Sequence, residues 1–183
     1  MRLAPGLASL RTHKAFKAIR HATRVAAAGH DARIIHISVQ RNHIHLLVEA
    51  DNAALLGEGM RRFAISAARC LNAAAERSGN VFPDRYHAEV ITVPRQARHA
   101  LAYVLNNWRR HDVDQGHGLT PWVVDPFSSA SEFRDWRELP RGRELATPHD
   151  YEPLTVHEPR SWLLRDGWRT YGRPSIREVP GPR

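Results

Sequence analysis

Apolar positions along the first 111 residues follow two periods, and the switches between them divide the chain into elements. From Ser9 to Ala28, Phe16, Ile19 and Val25 form an apolar stripe at helical spacing, with Lys14, Lys17, Arg20 and Arg24 on the other face. Gly29 ends that helix. Arg33 to Val39 is a β-branched strand, Gln40-Arg41-Asn42 a short turn, and His43 to Glu49 a returning strand. The hairpin is apolar on both faces, which predicts that both are covered. Asp51 or Asn52 caps a second helix that starts near Ala53 or Glu58, runs to Arg77 and stops at Gly79. Met60, Phe63, Ala64, Ala67, Leu71 and Ala74 make its apolar stripe, while Gly57 and Gly59 weaken its first turn. After a turn at Val81-Phe82-Pro83-Asp84, Arg85 to Val93 reads as a further strand stopped by Pro94. A third helix, Ala97 to His111, follows. Ala97, Ala100, Leu101, Val104, Leu105 and Trp108 are its core stripe, and Arg109, Arg110 and His111 suit the negative end of its dipole.

The order helix, strand, strand, helix, strand, helix is that of an α+β, ferredoxin-like antiparallel sheet lacking most of its first strand. From Asp112 the composition changes: nine of the twelve prolines lie beyond it, with Trp122, Trp136, Trp162 and Trp168 among arginines. This divides the chain into a domain at 1–111 and an irregular extension at 112–183, which wraps the domain or its ligand.

Charge sharpens the picture. The 183 residues carry a net charge of +8, and all but two of the 27 basic residues are arginine, the lysines being Lys14 and Lys17. A GC-rich genome favours arginine codons, and guanidinium forks also grip phosphate oxygens. A single cysteine, Cys70, excludes an internal disulfide and fits a reducing cytoplasm. No apolar run approaches the roughly 20 residues of a membrane span, and Met1 to Pro5 does not read as a signal peptide.

The chemistry centres on Asn42-His43-Ile44-His45. Alternation along a strand puts His43 and His45 on one side and Ile44 and Leu46 on the other. Two imidazoles side by side can be core histidines, or half of a divalent-metal site. His-x-His strands also occur in eight-fold barrels and cupins, but the short length and three helices argue against both. On the third helix, His99, Tyr103 and Asn107 share a stripe beside the core. A tyrosine there is commonly a boundary residue with a wet hydroxyl. Asn107, one turn on, supplies a neutral oxygen suited to a hard cation such as Mg²⁺. A phenol, with its pKa of about 10, attacks poorly unless a nearby cation stabilises the phenolate or activates the electrophile. A cation held by His43, His45 and Asn107 would orient a phosphodiester for attack by Tyr103.

Three stretches carry a resemblance: Asn42-His43-Ile44-His45, Val81-Phe82-Pro83-Asp84-Arg85-Tyr86-His87, and Tyr103-Val104-Leu105-Asn106-Asn107. Together they resemble the HUH single-tyrosine transposases, and most of all the REP-associated tyrosine transposases of bacteria, over about residues 3–111. Phe127-Ser128-Ser129-Ala130 is similar to a serine-containing motif that follows the catalytic helix in that family. The resemblance implies His43 and His45 as the metal pair, Asn107 as the third ligand, Tyr103 as nucleophile, and Mg²⁺ or Mn²⁺ as cofactor. It implies single-stranded DNA beside a hairpin as substrate, a 5′-phosphotyrosine product with a free 3′-hydroxyl, a possible homodimer, and a bacterial, nucleoid-associated location. Arg41, Arg61, Arg62, Arg85 and Arg110 are candidate DNA contacts, although solvated arginines look the same in sequence. The tail's tryptophans and arginines either grip unpaired bases or pack the extension onto the domain.

Relatives begin with a strand before the first helix, whereas Met1-Arg2-Leu3 here supplies only its last residues. The expected cause is a start placed downstream of the true one. A decayed copy and a sheet completed by a partner are the alternatives. Three functions compete: a metal-dependent DNA strand transferase, a DNA-binding protein of the same fold that no longer cuts, and a metal hydrolase of small phosphoesters.

Overall fold

The structure is a computed structural model that describes residues 1–29, 32–110, 124–140, 145 and 151–181, with backbone only at 111–114. Trp122 and the His111 side chain lie outside the described residues.

Helix α1 spans His13–Ala27. It starts four residues later than the apolar stripe suggests, because the Thr12 hydroxyl accepts the Ala15 N–H at 3.3 Å and caps it there. Leu10 is held off the helical path, fully buried, with its N–H on the Arg41 carbonyl at 2.9 Å. Strands β1, Arg33–Val39, and β2, Ile44–Glu49, pair antiparallel, with Ser38 opposite His45 and an irregularity between Ile34 and His36. Both strands agree with the sequence reading. Helix α2, Ala53–Ala74, begins at Asn52, whose Oδ1 accepts the Leu55 N–H at 2.9 Å. Gly59 is not a weakness in that turn. A Cβ there would lie 2.5 Å from Ala32 Cβ, so only glycine lets the helix approach the chain before β1 this closely.

Two corrections concern the stretch before the third helix. Arg85–Val93 forms no strand among the described residues, and Val90 is 82% exposed. An alternating pattern needs a neighbouring strand to hydrogen-bond. Among the described residues no segment pairs with it, the opening residues making an Arg2–His43 bridge on the β2 edge and one Ala4 N–H bond to the Val81 carbonyl. Pro94 does not terminate anything either. It is the first residue of helix α3, Pro94–Asp114, where a missing N–H costs nothing. Gln96, two residues in, reaches back to accept the Val93 and Thr92 N–H groups.

The hairpin is covered on both faces, as its pattern predicts. On one, Ile37, Val39 and Ile44 meet Ile19 and Ala22 of α1 and Phe63 and Ala67 of α2. On the other, Ile35 and Leu47 meet Leu101 and Leu105 of α3 together with Phe133, Trp136 and Trp168. The tail therefore delivers large side chains to the second core. Trp136 and Trp168 are buried, their indole N–H groups bonded to the carbonyls of Ala130 and Leu164, which decides that these two pack rather than grip bases. Each buried indole removes on the order of 200 Å² from water, worth roughly 5 kcal/mol before entropy. Trp162 opens the short helix α4, Trp162–Arg165, and stays exposed.

The other sheet edge is finished by the tail. Val39 N–H bonds the Phe127 carbonyl at 2.8 Å, and Ser128 bridges Ser38. Across the sheet the order is thus Met1–Leu3, β2, β1, then 127–129. At its far end Glu49 accepts the N–H groups of Arg160 and Ser161, at 2.8 and 3.0 Å, and the Ser161 hydroxyl. Burial alone would raise the Glu49 carboxyl, but these donors and the Arg33 charge outweigh it and hold it below its ordinary range.

Candidate active site

Strand alternation sends Ile44 and Leu46 into the core beneath α1 and α2, so His43 and His45 face α3. Their ring centroids are 4.7 Å apart and nearly perpendicular. The Tyr103 ring from α3 lies edge-on to His45, centroids 5.0 Å apart. Residues far apart in sequence thus meet at one place, and the meeting is made by the α3 core stripe: Ala97, Leu101, Val104 and Leu105 seat the helix so that its adjoining face turns toward β2.

His43 is oriented from below. Its Nδ1 lies 2.8 Å from the Asn42 side-chain oxygen. An amide oxygen only accepts, so Nδ1 carries the proton and Nε2 keeps the ring's lone pair. Asn107 follows Tyr103 by one turn and is fully buried. Among the described residues no three His, Cys, Asp or Glu side chains gather. The ligands the sequence reading offers are two imidazoles and an amide, which carry no negative charge. Such a set fits a hard divalent ion whose remaining ligands are anionic oxygens brought by a phosphodiester.

The predicted arginines scatter. Arg41 is exposed on the turn that leads into His43. Arg61 and Arg62 are exposed on α2, across the sheet from Tyr103, with Arg61 bonded to Glu58 at 2.6 Å. Arg85 is exposed in the stretch that forms no strand. Arg110, near the end of α3, donates to the Pro180 carbonyl at 3.4 Å.

The serines of Phe127-Ser128-Ser129-Ala130 serve the sheet. Ser129 Oγ accepts the Ile37 N–H at 3.0 Å and lies 3.1 Å from Nδ1 of buried His36, whose pKa burial pushes down to about 4. Asp125, just before them, is fully buried and takes both Nη atoms of Arg11 at 2.8 Å. Sequence reading singled out neither His36 nor Asp125. A polar residue inside a β-branched run was the available signal for the first; for the second there was none.

A family model described as "Transposase IS200 like" matches residues 8–107, a little over half of the chain. The chain belongs to that family. The match covers the hairpin with both histidines, α2, and α3 through Asn107, and it bears out the resemblance to single-tyrosine transposases. Comparisons with curated proteins and with solved structures find no match. In this IS200-like transposase a His-x-His strand and a tyrosine-bearing helix converge. No helix among its described residues is long and apolar enough to cross a membrane.

Proposed function

We propose that this IS200-like transposase cuts and rejoins single-stranded DNA beside a hairpin through a 5′-phosphotyrosine formed on Tyr103. The observation that carries the reading is the Tyr103 ring standing edge-on to His45, with His43 directly beside it. Tyr103 Oη attacks the phosphorus and the bond to the 3′ oxygen breaks. The tyrosine's proton passes to solvent, and the departing 3′ oxygen takes one up to become a hydroxyl. The new phosphotyrosine ester keeps the energy of the broken linkage for a later 3′-hydroxyl to reclaim by the reverse attack.

His43, His45 and Asn107 would hold Mg²⁺ or Mn²⁺, which when bound withdraws charge from the phosphate and favours the phenolate. Asn42 fixes the His43 tautomer, and Arg41, exposed next to it, would meet a DNA phosphate.

The test is covalent capture. Protein is incubated with Mg²⁺ or Mn²⁺ and a hairpin-bearing single strand taken from the gene's flanks, then resolved under denaturing conditions. A DNA–protein adduct should form, vanish with Tyr103→Phe, and vanish on chelation while DNA binding persists. Folded protein that binds the strand but forms no adduct with either metal would instead establish a DNA-binding protein of this fold. Turnover of small phosphoesters without adduct would mark a hydrolase.

A further inference from the structure

Of the four tryptophans among the described residues, Trp108, Trp136 and Trp168 are buried, whereas Trp162 is 61% exposed. An indole left in water gives up most of the burial, on the order of 200 Å², that stabilises its neighbours in the core. Yet the ring has a seat. A Cβ added to Gly167 would lie 2.9, 3.0 and 3.1 Å from Cζ3, Cε3 and Cη2 of Trp162. Near-equal distances to three consecutive ring atoms put that position over the face of the indole, since an approach to the edge would leave the outer two atoms much farther away than the middle one. One face of the ring therefore lies on the Gly167 backbone, where only glycine leaves room for it. The other face is the one turned to solvent.

The segment that carries the ring is fastened before, within and after it. Before it, Glu49 of β2 accepts the N–H groups of Arg160 and Ser161 and the Ser161 hydroxyl. Within it, Leu164 and Trp168 sit in the core beside Leu101 of α3. After it, Arg98 of α3, forked onto Glu178 at 3.0 and 2.6 Å, donates Nε to the Gly172 carbonyl at 2.8 Å. Glu49 lies on the same side of β2 as His43 and His45, and four residues beyond His45 is about 13 Å along the strand. The charge around the ring is mainly positive. Arg160 is exposed, and Arg165, on the same turn as Trp162, keeps 60% of its side-chain exposure. Of the nearby acids, Glu158 is exposed, and Asp166 is held by Arg169 at 2.7 Å and lies 3.7 Å from Arg165.

We propose that Trp162 is a stacking platform for one unpaired nucleobase of the bound strand, a few nucleotides from the phosphate at the histidines, with Arg160 and Arg165 meeting the phosphates on either side. A flat apolar face between cations accepts any base, so the contact favours single strand over duplex without selecting sequence. A duplex keeps its bases stacked on one another and offers the ring none. The inference rests on the single-stranded DNA binding proposed above and is independent of cleavage.

The test compares a hairpin carrying a single-stranded extension with the same hairpin cut blunt. Trp162→Ala should weaken binding of the extended hairpin by about five- to a hundredfold, the cost of one lost stacking contact, and leave the blunt hairpin as it was. Trp162→Tyr should recover most of the affinity. Abasic sites placed singly along the extension should find one position that costs the wild type as much as Trp162→Ala does and costs the Ala variant nothing further. Equal affinity of wild type and Ala variant for the extended hairpin overturns the platform and leaves the strand-transfer reading standing. So does a loss shared by the blunt hairpin, where a stacking contact has nothing to hold. An Ala variant that changes only the oligomeric state would assign the ring to a contact between copies instead. Wild-type protein that binds no extended hairpin overturns the single-stranded DNA reading and the platform together.

Discussion

His36 has no place for a proton. It is buried against Phe133, ring centroids 5.5 Å apart, and the desolvation that lowers its pKa to about 4 makes the folded state intolerant of imidazolium. The unfolded chain protonates the same ring below about 6.5. Above that pH the ring is neutral in both states and costs nothing. As pH falls from 6.5 toward 4 the unfolded state alone gains a proton, so stability declines, approaching about 3 kcal/mol in total. Denaturant melts of wild type and His36→Gln between pH 6.5 and 5 should show a shallower slope in the variant, where carboxylates still contribute little. Equal slopes would sink this account. The residue scale also shows what sequence could convey at the site. His43, His45, Tyr103 and Asn107 stand out because strand and helix periods each place two of them on one side. Arg98 and Glu178 do not, because they are 80 positions apart and nothing local marks either as the other's partner.

At the scale of elements, α2 offers a paired test at two glycines in one turn. A Cβ at Gly57 meets nothing within 4 Å, whereas one at Gly59 would lie 2.5 Å from Ala32 Cβ. Gly57→Ala should therefore stabilise by up to about 1 kcal/mol through helix propensity. Gly59→Ala should destabilise by about 1–2 kcal/mol, because the forced separation from residue 32 exceeds that gain. Chemical denaturation of the two variants reads both signs at once, and equal effects would refute the close-approach argument. The hairpin and the cores of α1 to α3 were legible because each is a local repeat with one buried face. Arg85–Val93 misled for the complementary reason. Its residues have strand character, but a strand is a relation between two segments, and among the described residues no second segment pairs with it.

At the scale of the molecule, the tail is part of the sheet and of both sides of α3, although its composition suggests a wrapping. Asp125 shows how it is fastened: one carboxylate holds Arg11 ahead of α1, caps the Phe127 N–H at 3.0 Å, and lies where the chain joins β1. Asp125→Ala would strand the Arg11 charge between Phe127 and the Val39 carbonyl. The expected loss is about 2 kcal/mol, less than for a fully buried pair because Arg11 keeps 27% of its side-chain exposure. Thermal melts of the variant check it, and a midpoint unchanged from wild type would contradict the fastening. Irregular chain that bonds through single carboxylates and carbonyls has no period, which is why sequence showed its prolines and tryptophans but not its route. The stretch before Pro94 joins no strand among the described residues. Nine residues reach roughly 30 Å when extended, so Arg85–Val93 is a leash on the helix that carries the tyrosine. A leash of that length keeps its cargo at an effective concentration in the millimolar range. In the proposed reaction the core stripe of α3 makes the tyrosine a fixed wall of the site; without that seat it would be a tethered reagent, still supplied to the histidines but no longer aimed.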